Sequence, residues 1–113
     1  MAEVNPFKVV YALIWRANKP DDKFDQNEFD KRVPRLMAWL KDLYKKHRLV
    51  ACGGGGFEFH SGGLTLITAK NVEEAIELSK GTPMNEIGKT EVFVWDVYYG
   101  NLVELKREEK LKA

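Results

Sequence analysis

Residues 49–78 read LVACGGGGFEFHSGGLTLITAKNVEEAIEL, and the order of elements within this stretch decides the fold. Residues 49–52 and 57–60 are strand pieces on either side of four glycines, and Gly62 and Gly63 mark a turn into the strand LTLITA at 64–69. That pattern predicts a hairpin. Asn71 then stands as the N-cap of a short helix. Glu73 and Glu74 lie in its first turn, Ala75, Ile76 and Leu78 form its apolar stripe, and Gly81 and Pro83 end it. The glycine run does not read as a phosphate loop, because the element after it is a strand, and such loops need a helix N-terminus to aim N–H groups at the anion. It permits instead a bulge or a close backbone approach, at a dimer contact or over a pocket.

Upstream, Phe29, Val33, Leu36, Leu40 and Leu43 recur in steps of four and three, which places them on one helical face. Pro34 costs least at the first helical position, so the regular helix is expected at 34–47, with a separate turn from Asp25 before it. The cations Lys45, Lys46, His47 and Arg48 fall in its last turn and read as a solvated end. Further back, FKVVYALIW at 7–15 is a strand, separated from the helix by a polar connection. Downstream, EVFVWDVYY at 91–99 is the last strand. The chain thus divides into a domain at 1–99 and a charged tail at 100–113, which reads as a frayed helix or an arm.

Strand, helix, strand, strand, helix, strand is the order of the ferredoxin-like βαββαβ motif, an α+β fold in which two helices cover one face of a four-stranded antiparallel sheet. The other face has no cover within the chain. Val9, Tyr11 and Leu13 on one side of the first strand and Val10, Ala12 and Ile14 on the other are all apolar, so a bare monomer would expose a large apolar patch. A second copy packed sheet to sheet would cover it, giving a dimeric α+β barrel with a symmetric interface; the competing explanation is that the C-terminal tail folds over the open face. The expected partner is therefore the chain itself, as a homodimer or a higher oligomer.

Composition narrows the function. The 113 residues carry 18 Lys and Arg against 17 Asp and Glu, with 44% hydrophobic residues. This is one domain's worth of chain with ample core, and the balanced charge argues against a dedicated nucleic-acid binder. A single cysteine, Cys52, excludes an internal disulfide, fits a reducing cytoplasm and reads as a buried, inert thiol. The start MAEVNPFK has no apolar signal region, and no continuous apolar run is long enough for a membrane span. The expectation is a cytoplasmic protein with no membrane partner.

The stretches PRLMAWLKDLYKKHRLVACGG (34–54), GGLTLITAKNVEEAIELSKGTP (62–83) and EVFVWDV (91–97) together resemble the YCII-related proteins over about residues 7–97. The resemblance rests on the order of elements, the pair Gly53 and Gly54, the phrase NVEEAIEL and the following Pro83. It implies the dimeric α+β barrel already reached. It also implies a small cytoplasmic protein of ill-defined activity, with a His and Asp pair facing a pocket and sometimes proposed as a hydrolase. The histidine position matches Arg35 here and the aspartate position matches Thr82. Arginine stays protonated and cannot serve as a general base near neutral pH, but Arg35 beside the Thr82 hydroxyl suits a carboxylate or phosphate.

Three other residues carry potential chemistry. His60 stands at a strand end beside a turn, either as a structural histidine or at a pocket. Asp96 is a carboxylate within VFVWDVYY and needs a hydrogen-bonding partner there or a raised pKa. Trp15 belongs to an aromatic set that either packs the core or lines a cavity for a flat ligand. No grouping of ligands suggests a metal site, and no cofactor is implied. The first reading is a non-catalytic or weakly catalytic homodimer that binds a small anionic or aromatic ligand through Arg35, Thr82, His60, Asp96 and Trp15, in a pocket between the sheet and the first helix. The alternative is a small cofactor-independent hydrolase, isomerase or monooxygenase using His60 and Asp96.

Overall fold

The computed structural model describes residues 9–98. Within them the chain runs β1 (Val10–Ala17), α1 (Gln26–Lys45), β2 (Leu49–Phe57), β3 (His60–Thr68), α2 (Val72–Ser79) and β4 (Gly88–Trp95), with 3-10 turns at Asp21–Lys23 and Pro83–Glu86. The strands form one four-stranded antiparallel sheet in the order β2-β3-β1-β4. The α+β, ferredoxin-like arrangement expected from the order of elements is therefore the one observed. Phe7, Tyr99 and the charged tail fall outside the described residues.

Side chains alternate across each strand, and β1 shows what each face meets. Tyr11 and Leu13 pack with Leu43 of α1, Ile67 of β3 and Ala75 of α2, while Trp15 and Ala17 pack with Met84, Phe29 and Val33. Both helices thus lie on this one face. The opposite face carries Ile14, its partner Leu64, and Phe93 and Trp95 of β4. Leu64, Phe93 and Trp95 remain 38%, 48% and 41% exposed, so that among the described residues this apolar sheet face is open.

Three local expectations are corrected. Helix α1 begins at Gln26 and not at Pro34. The Asp25 side chain accepts the Asn27 and Glu28 backbone N–H groups at 3.0 and 3.2 Å, a strong N-cap, and the stripe that starts at Phe29 packs the first two turns, partly buried, against Trp15 and Met84. Pro34 is thereby tolerated inside the helix, on its exposed side. The glycine run does not interrupt the second strand, since β2 continues through all four glycines in register with β3, and the only register shift lies between Leu49 and Ala51. The hairpin turn is at Glu58 and Phe59, both with positive φ (49° and 67°), between the paired residues Phe57 and His60. That is a primed two-residue turn, which normally takes Asn or Gly. Gly62 and Gly63 lie inside β3, opposite Gly55 and Gly54.

The C-terminus of α1 makes a complete Schellman closure. The Arg48 N–H reaches the Leu43 carbonyl at 2.9 Å, and the His47 N–H reaches the Tyr44 carbonyl at 3.0 Å. The motif needs a left-handed residue at the position His47 holds, with φ 60°, and glycine fits there without steric cost. His47→Gly should therefore raise stability by about 0.5–1 kcal/mol; a denaturant midpoint that falls would contradict this account of the helix end.

Candidate functional site

The second 3-10 turn organises one end of the sheet. Thr82 caps it, its hydroxyl oxygen accepting the Met84 N–H at 3.2 Å, and is buried. Trp15 donates its indole N–H to the Met84 carbonyl at 2.7 Å. Arg35 grips Glu86 with both guanidinium arms, at 2.8 and 3.2 Å, and Arg32 adds a third contact to the same carboxylate at 2.9 Å. These two cations hold the Glu86 carboxyl below the usual carboxylate range, Arg35 contributing most. The turn thus brings Arg35, Thr82 and Trp15 to one short segment. The carboxylate that Arg35 holds belongs to the chain itself.

The other two candidates stand apart. His60 begins β3 at the hairpin tip, where its Nδ1 lies 3.0 Å from the Glu58 carbonyl oxygen. Asp96 follows the end of β4 and is exposed. Trp95 pairs with Val10 at one end of β1, whereas Gly62 pairs with Arg16 at the other; the six-residue rise between those levels is about 20 Å. His60 and Asp96 are therefore not brought together. The basic residues after Lys45 are also dispersed. Lys46 pairs with Asp42 at 2.9 Å, while Arg48 turns inward to Glu74 at 2.8 and 2.9 Å and to the Thr68 carbonyl at 3.2 Å. Cys52, read from sequence as buried, is exposed on the edge strand, because only β3 flanks β2. Local desolvation still pushes its thiol pKa up, which keeps it protonated near neutral pH.

A groove of about 220 Å³ opens between the start of α1 and the hairpin. Phe24 and Phe29 form one wall, with ring centroids 5.8 Å apart, and Trp15 stands 6.0 Å behind Phe29. Gly54, Gly55 and Gly62 form the floor, and Gln26 and Ser61 supply side-chain polar groups. Among the described residues, no lining residue is charged. Sequence reasoning placed a pocket between the sheet and the first helix and allowed the glycine run to lie over one, but it assigned Phe29 to the helix stripe and named none of these residues as ligand contacts. Among the described residues, no three His, Cys, Asp or Glu side chains converge as a metal site, and no helix is long and apolar enough to cross a membrane.

The family model for the YCII-related domain matches residues 10–97. The chain belongs to the YCII-related family. The resemblance inferred from its motifs is thereby shown for the whole sheet and both helices. A structural relative is the 5-chloro-2-hydroxyhydroquinone dehydrochlorinase of Burkholderia phenoliruptrix, solved with 2,5-dihydroxybenzoquinone. It matches with a TM-score of 0.53 and 21% identity, over 76% of this chain and 93% of that one. The designed protein Ferredog-Diesel matches with a TM-score of 0.51 and 14% identity, over 82% of this chain and 91% of its own. At these identities the likeness establishes the fold. No curated protein gives a match.

Proposed function

We propose that this YCII-related protein is a homodimer that binds a small planar ring carrying hydroxyl or carbonyl oxygens, in the groove between α1 and the hairpin, without using the family's acid–base pair. The groove carries the reading. Aromatic walls and a glycine floor suit a flat face, the uncharged lining disfavours an isolated anion, and Gln26 and Ser61 offer hydrogen bonds to ring oxygens. Size agrees, since a cavity of about 150 Å³ holds benzene and this groove has room for one substituted ring. The dehydrochlorinase solved with 2,5-dihydroxybenzoquinone offers a precedent for such a ring on this fold. Arg35 is engaged by Glu86 and Thr82 is committed to a cap, so neither is free to serve as a base. The dimer would form through the open sheet face, burying on the order of 2,000 Å² as obligate homodimers do.

The test is an NMR titration with catechol, hydroquinone, benzoate and inorganic phosphate. Catechol or hydroquinone should shift the amides of Gly54, Gly55 and Gly62. Phe24→Ala should weaken that binding about three- to tenfold, the value of one aromatic contact, while Arg35→Ala leaves it unchanged. Binding of benzoate or phosphate alone, abolished by Arg35→Ala, would replace this reading with an anion site at the 3-10 turn. Light scattering should give twice the chain mass, and Leu64→Glu should lower it towards one chain.

A further inference from the structure

The glycines of β2 are not explained by packing within the chain. None of the described glycines has a positive φ, and a Cβ at Gly53 or Gly55 would meet open space. Glycine in a strand is nonetheless destabilising by roughly 0.5–1 kcal/mol per position. On β3 the facing residues are also glycines, with Gly54 opposite Gly63 and Gly55 opposite Gly62. Cross-strand side-chain pairs are what stiffen a sheet, and across this band there are none. Beyond the band lies the tip, residues 57–60, with two non-glycine residues in the left-handed region and Phe59 84% exposed.

The Phe57 ring of the tip lies over Gly62, where a Cβ would overlap it, and three further contacts tie the tip to its neighbours. The Asp21 N–H donates to the Phe59 carbonyl at 2.7 Å, Arg16 pairs with Glu58 at 2.9 Å in full view of solvent, and the Ser61 hydroxyl reaches Asp21 at 3.5 Å. Asp21 begins the segment that leads into Phe24 and Gln26, one side of the groove, and the glycine band is the other. We propose that the β2–β3 tip is a lid, hinged at the double-glycine band and latched to the 3-10 turn at Asp21, whose release widens the groove and whose relatching encloses the ligand. The lid rests on the groove being the binding site, but its motion belongs to the chain itself and exists without ligand.

The experiment is 15N relaxation dispersion on the ligand-free protein, the wild type beside Arg16→Ala and the double variant Gly53→Val with Gly56→Thr, neither of whose glycines lines the groove. Amides of residues 57–61 should show microsecond-to-millisecond exchange while those of Ala12 and Leu66 stay quiet. Removing the Arg16 pair should raise the unlatched population about two- to fivefold, the range an exposed ion pair supports. The β-branched replacements should suppress the exchange. Tip amides as quiet as the sheet centre, or exchange that the double variant leaves untouched, would overturn the hinge. If the double variant does not fold, native-state hydrogen exchange of the wild type distinguishes the same two cases, since a hinged tip exchanges before β1 and a rigid one with it. Loss of catechol binding with tip exchange intact would strike the ligand reading and spare the lid.

Discussion

Trp15→Ala should destabilise the protein by about 3–5 kcal/mol, the range for truncating a large buried aromatic residue, whereas Trp15→Phe should cost about 0.5–1.5 kcal/mol by removing one of the two donors to the buried Met84 carbonyl, which keeps the Ile87 N–H. The indole is only 7% exposed and joins three elements: β1, which carries it; α1, through Phe29; and the second 3-10 turn, through Met84. Its place is reserved by Gly88 on the neighbouring strand, where a Cβ would overlap the indole and meet the Arg16 carbonyl at 2.5 Å. Urea unfolding monitored by circular dichroism measures both variants. A loss below 1 kcal/mol for Trp15→Ala would mean that the 3-10 turn docks without the indole. The same pair bears on Trp15 as a ligand contact: if its part in binding is to support Phe29 from behind, the phenylalanine variant keeps catechol affinity within about twofold while losing stability.

The topology was legible because each of its elements has a local cause. The apolar steps from Phe29 to Leu43, the Asn71 cap and the β-branched run before Trp15 all speak in short-range terms, and their order suffices for the fold. What was misread had competing local signals. Pro34 reads as a helix start, yet the Asp25 cap and the packing of the partly buried Phe29 and Val33 against Trp15 and Met84 outweigh the lost hydrogen bond. The turn at Glu58 and Phe59 contains neither Asn nor Gly, so nothing in its sequence announces positive φ; the register of β2 against β3 imposes it. The site was less legible than the fold because its determinants are distant in sequence. Arg35 and Glu86 are separated by 51 positions, and no spacing rule connects them. The groove is harder still, since much of its lining is backbone, and glycine records the room left for something without recording what fills it.

Arg48→Met should cost about 2–3 kcal/mol at pH 7 and much less near pH 3. Arg48 holds Glu74 through two nearly parallel bonds at 2.8 and 2.9 Å, and their side chains are only 15% and 27% exposed, a bidentate geometry that makes such pairs strong. One further Arg48 bond goes to the Thr68 carbonyl, so the residue ties the end of α1 to the end of β3 and to the first turn of α2. Removing it strands a half-screened carboxylate, which costs more than the pair itself contributes. The Glu74 carboxyl is held below its ordinary value chiefly by the Lys70 backbone N–H, with Arg48 adding to it. A carboxyl whose pKa is depressed by folding contributes stability that is fully present above its unfolded value of about 4.3 and is lost as pH falls through the folded one. The gap between wild type and Arg48→Met should thus be flat above about pH 5 and close below it, as protonation of Glu74 removes the charge that Arg48 serves. Glu74→Gln should show the same closing gap from the other partner, because at low pH the wild type also carries a neutral group there. Denaturation midpoints from pH 3 to 7 decide the matter: a gap that stays constant across that range would assign the role of Arg48 to the packing of its aliphatic stem and not to the ion pair.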